Sequence, residues 1–120
     1  MEKLYLMAKG HTLRFPSGND PFRICTRILE ECGEVAQQVN QLEKTGAKES
    51  KGYLGSKKEL ANEIRQSVMC LLQLAQYYGC EAEIDEAVEI SLGRLRDDGV
   101  IKKQTAQWDY CCAAYFLHPV

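Results

Sequence analysis

Apolar residues recur at helical spacing in three long stretches of this chain. Asn19-Asp20-Pro21 marks the start of the first, because Asp20 can cap a helix and proline suits the first helical position. The periodicity predicts a helix from about Pro21 to Lys44. Ile24, Ile28, Val35, Val39 and Leu42 fall on one narrow stripe, widened on one side by Cys32 and Ala36. Ser56-Lys57-Lys58-Glu59 is a capping-box pattern and opens a second helix that closes at Gly79. Its stripe is Leu60, Ile64, Val68, Leu71, Ala75 and Tyr78. A third helix is predicted from Glu81 to Asp98, with Ile84, Val88, Leu92 and Leu95 inward and Gly99 ending it. Leu4 to Met7 reads as a short helix, followed by irregular chain through Gly10, Pro16 and Gly18. Thr45 to Gly55, with three glycines and little periodicity, reads as a loop. The tail from Gln104 to Val120 carries Trp108, Tyr110, Tyr115 and Phe116 and reads as a fourth helix or a docking arm. Strand signals are weak throughout. The expectation is an all-α bundle of three to four helices in one domain, its core at about 20–98. Apolar faces that one small chain cannot cover point to completion by dimerisation.

Acidic residues interrupt this pattern beside the apolar stripes. Glu30, Glu31 and Glu34 lie within the first long helix, and Glu59 and Glu63 follow on the second. On a helical wheel Glu31 sits at one edge of the first stripe, with Glu34 and then Glu30 just beyond it. Glu63, Glu59 and Gln66 sit together beside the second. Packing the two helices would bring both groups to a shared edge of the seam. Carboxylates repel one another and lose hydration when gathered beside a core, whereas a divalent cation removes both objections. Glu31 and Glu34 are one turn apart, as are Glu63 and Gln66, so each pair can point at one ion. Hard oxygen donors of this kind suit Mg2+ or Mn2+. The competing reading is that of solvated helix faces, since glutamate is a good helix former.

Composition narrows the function classes. With 120 residues, 45% hydrophobic and 27% charged, the chain has the make-up of a globular domain. A net charge of −2 gives no general attraction to nucleic acid or to an anionic membrane. No apolar run approaches a membrane span, and Met1 to Gly10 has no signal-peptide pattern, so a cytoplasmic location is expected. The six cysteines include no C-x-x-C pair, and both histidines, His11 and His118, lie near the termini. Zinc is therefore not indicated, and free thiols, several of them acting as small core residues, are the expectation.

The run Arg27-Ile-Leu-Glu-Glu-Cys-Gly-Glu-Val-Ala, followed by the Glu63 helix, resembles the MazG-like all-α nucleoside triphosphate pyrophosphohydrolases. That family carries E-E-x-x-E on one helix and E-x-x-D on the next, and the likeness covers roughly residues 20–98. The first block is intact at Glu30, Glu31 and Glu34. The second falls on Glu63-Ile-Arg-Gln66, with glutamine in place of the family's aspartate; Glu59 with Asn62 is a shifted alternative that also lacks the aspartate. The resemblance implies Mg2+-dependent hydrolysis of a nucleoside triphosphate to monophosphate and pyrophosphate, with Mn2+ as a possible substitute. It implies Glu31, Glu34 and Glu63 as metal ligands, Gln66 as a weak ligand or a spectator, and Glu30 as a further ligand or the group that orients water. Phosphates would meet Arg94, Arg96, Lys57 or Lys58. Phe15, Phe22, Tyr53, Tyr77 and Trp108 are candidate walls for the base. Because Gln66 departs from the pattern, a second reading is a non-catalytic helical dimer that binds a nucleotide or a protein partner.

Overall fold

A computed structural model describes residues 1–46, 51–52 and 54–102. Four α-helices are present among them and no strand: α1 (Glu2–Arg14), α2 (Pro21–Leu42), α3 (Lys57–Tyr78) and α4 (Glu81–Asp97), with a short 3-10 turn at Pro16–Gly18. None is long and apolar enough to cross a membrane. The chain divides into two compact units, Met1–Glu83 and Ile84–Val120. The expected tail helix or arm, with Trp108, Cys111 and Cys112, lies outside the described residues, as does Tyr53.

The helix boundaries follow the capping chemistry. The Asp20 side chain accepts from the backbone N–H of Arg23 at 3.0 Å, and Pro21 occupies the first turn of α2. At α3 the Glu59 N–H donates to Ser56 Oγ, which caps the helix, and the Ser56 hydroxyl donates to Glu59 Oε2 at 3.0 Å. Gly79 ends α3 in the left-handed conformation, φ 64°, where a side chain would be strained.

α1 corrects the expectation of irregular chain after Met7. It runs through Gly10 to Arg14 because tertiary packing outweighs the ~1 kcal/mol helix penalty of one glycine. Ala8 is fully buried against Met69, Cys70 and Leu72 of α3, with Leu4, Tyr5 and Met7 packed around them. Two glutamines of α3 tie the helix down: Gln73 Nε2 donates to Thr12 Oγ1, and Gln76 Nε2 donates to the Tyr5 carbonyl.

In the first unit α3 packs against both α1 and α2. This central position changes which residues it buries. Ser67, Met69, Cys70, Leu72, Gln73 and Ala75 are buried, whereas the expected inward stripe is open at Ile64, Leu71 and Tyr78. On α2, Ile24 is fully buried, but Val39, Cys32 and Ala36 are exposed. α4 buries none of its residues; Val88 and Leu95, expected inward, are exposed. Of the four described cysteines, all free, only Cys70 is fully buried. Cys25 and Cys32 are exposed and Cys80 is half-buried, so among the described cysteines Cys70 alone acts as a core residue where several were expected.

One glycine allows a close approach of the chain to the end of α2. A Cβ on Gly55 would stand 3.0 Å from both Gln41 Cβ and the Leu42 nitrogen, and 3.1 Å from the Gln38 carbonyl. The chain therefore passes closely over the end of α2 immediately before α3 begins.

Candidate metal centre

α2 brings Glu31 and Glu34 onto one face, a turn apart, and α3 places Glu63 opposite them. One carboxylate oxygen from each of the three lies within 4.8 Å of the other two. Glu31 and Glu63 are half-buried and Glu34 is exposed. Like charges at this separation repel by roughly 3 kcal/mol per pair at an effective dielectric constant of 20, less where solvent reaches them. The Glu31 carboxyl shows the consequence. Burial, and then the charges of Glu34, Glu63 and Glu30, push its pKa above the ordinary glutamate value, while Arg65 pulls it back. Glu31 Oε2 is buried with no hydrogen-bond partner. Such a trio is costly without a cation and well matched to one, and three hard oxygens suit Mg2+ or Mn2+.

Gln66 stands beside the trio in a specific role. Its Nε2 donates to Glu63 Oε2 at 2.6 Å, so the amide braces the Glu63 carboxylate and withdraws charge from it. The alternative pair is otherwise engaged: Glu59 accepts from the Ser56 hydroxyl, and Asn62 Oδ1 accepts from Arg65 Nη2 at 2.9 Å. Glu30 is exposed, and its charge acts on Glu31.

The expected substrate contacts are scattered. Lys57 and Lys58 are exposed in the first turn of α3, six and five residues before Glu63, which corresponds to about 8–9 Å along the helix axis. Arg94 and Arg96 lie in the last turn of α4, in the second unit. Among the candidate walls, Phe15 lines a small cavity with Glu31. Tyr77 lines a separate, larger cavity of about 330 Å3 with Lys9, Asn19 and Glu81. Phe22 is exposed and packs on little.

Three residues near the centre escaped the sequence reading. Arg27 and Gln73 line the small cavity beside Glu31, and the Arg65 charge acts on the same carboxyl. A signal for two of them was present. Arg27 precedes Glu31 by four residues and so shares its face, and Gln73 extends the Glu63, Gln66, Cys70 row at helical spacing. Comparison with protein-family models, with curated proteins and with solved structures found no match to this chain.

Proposed function

We propose that the chain is a Mg2+-dependent nucleoside triphosphate pyrophosphohydrolase of the MazG-like kind, acting in the cytoplasm as a homodimer. The observation that carries this reading is the convergence of Glu31, Glu34 and Glu63 from two helices, with a buried, unpartnered oxygen on Glu31. A divalent cation held there would supply charge neutralisation to a polyphosphate and acidify a bound water. The protein's own contribution is positional. Glu31, Glu34 and Glu63 hold the cation, Gln66 orients Glu63, and exposed Glu30 is a further ligand or the group that orients water. Lys57 and Lys58 offer positive charge for phosphate at the start of α3, and Arg94 and Arg96 offer it on α4. The exposed apolar row Ile64, Leu71 and Tyr78 supports association of two copies.

One observation favours the second reading, a binding protein without turnover. The Gln66 amide donates to the Glu63 oxygen that an aspartate at position 66 would leave free. Pyrophosphate release from a panel of ribo-, deoxy- and modified triphosphates, with and without Mg2+ or Mn2+, separates the two. The enzyme reading expects metal-dependent release that Glu34→Gln abolishes. An inert wild type whose Gln66→Asp variant gains turnover supports the binder. Inactivity of both across the panel contradicts the hydrolase reading.

A further inference from the structure

Arg27 lies one turn before Glu31 and is held at two points. Its Nη2 donates to the Gly18 carbonyl at 3.2 Å and reaches Gln73 Oε1 at 3.5 Å. Gln73 is only 5% exposed, and its Nε2 donates to Thr12 Oγ1 at 3.1 Å, so one buried amide links α1, α2 and α3. Stability alone is a poor reason for this arrangement. Burying an amide and part of a guanidinium costs free energy that an apolar side chain would not incur.

The orientation of the two charged groups gives a better reason. Arg27 Nε is buried without a hydrogen-bond partner, and so is Glu31 Oε2. Both side chains line one cavity of about 60 Å3, whose walls include His11, Phe15, Met69 and Gln73. A cationic donor and an anionic acceptor thus line a space large enough to hold water, which needs roughly 10–15 Å3 of such volume.

We propose that Arg27 is a positioning residue for the metal centre: held by Gly18 and Gln73, it fixes the Glu31 carboxylate through water in their shared cavity. The inference rests on the reading of Glu31, Glu34 and Glu63 as cation ligands. It adds an outer layer to that centre, because a ligand carboxylate that is itself hydrogen-bonded is held in orientation before the cation arrives. Gln73 acts one step further out, on the guanidinium.

The test measures Mn2+ affinity without nucleotide, from the electron paramagnetic resonance signal of free Mn2+. Arg27→Lys keeps the charge but loses the Nε–H, and the affinity is expected to fall about 10-fold. Gly18→Ala is the second variant. A Cβ there would stand 2.7 Å from Arg27 Nη1, displacing the guanidinium while every polar group remains. It is expected to weaken Mn2+ binding in the same direction by a smaller factor, and it decides the matter if Arg27→Lys fails to fold. Circular dichroism establishes that each variant compared is folded. Wild-type affinity in the folded variants would show a charge that is merely nearby, overturning the positioning role and leaving the centre intact. Absence of Mn2+ binding in wild type would overturn the metal reading itself, and this inference with it.

Discussion

On α3, Glu63, Gln66, Cys70 and Gln73 are half-buried or buried, while Ile64, Leu71 and Tyr78 of the same helix are 46%, 50% and 66% exposed. A helix in a lone chain is expected to cover its apolar residues, and α3 does bury Met69, Leu72 and Ala75 but leaves this apolar row open. The difference separates two kinds of constraint. The polar row is kept inside at a cost because it faces Glu31 and Arg27 on α2, where the carboxylates gather. The apolar row stays outside because α1 and α2 already cover the flanks of α3. The proposed metal centre would account for the first, and the proposed dimer would cover the second.

The strongest way to disturb the inner face without touching a carboxylate is Gly55→Ala. The new methyl group would meet the backbone of α2 and force α2 and α3 apart, at an expected cost of about 1–3 kcal/mol, read by urea unfolding. A loss below about 0.5 kcal/mol would mean that the seam tolerates displacement. The outer face is tested by Leu71→Lys. In an isolated chain such a half-exposed substitution shifts stability by no more than about 0.5 kcal/mol. In the proposed dimer it converts the particle to a monomer that remains helical, as read by light scattering with circular dichroism. A wild type that is already monomeric would break the comparison on this side.

The smallest effect is in pH. Because burial and neighbouring carboxylates raise the Glu31 pKa in the folded state, the folded chain binds that proton more tightly than the unfolded chain. Metal-free stability is therefore lost as pH rises from the ordinary glutamate value through the raised one, and the penalty is complete above it. Glu31→Gln removes the penalty. The metal-free variant should be the more stable form at neutral pH, and the advantage should disappear below about pH 4, where glutamate is protonated in both states. Thermal unfolding across that range, in the presence of a chelator, measures it.

Much of this was legible in the chain. Asp20-Pro21, Ser56 with Glu59, and Gly79 placed the long helices almost to the residue, because caps are local chemistry. The Glu31, Glu34 and Glu63 meeting followed from wheel positions alone, since acids beside two seams converge once the seams pack. What stayed hidden depends on a third element. α1 looks like a stub in the sequence because Gly10 weakens its local signal, yet Ala8 and Thr12 dock it to α3. With α1 in place α3 becomes central, and so its apolar stripe and its buried face no longer coincide. Gln73 went unnoticed for the same reason: its partners, Thr12 and Arg27, are 61 and 46 residues away.

A titration of the wild-type chain with Mn2+, beside Glu63→Gln, tests the metal centre most directly. The predicted result is saturable binding to wild type that is weakened at least 100-fold in Glu63→Gln, since loss of a ligand should exceed the 10–100-fold typical of an outer partner. Free Mn2+ throughout the wild-type titration, or equal binding by both proteins, would contradict the assignment of Glu31, Glu34 and Glu63 as cation ligands.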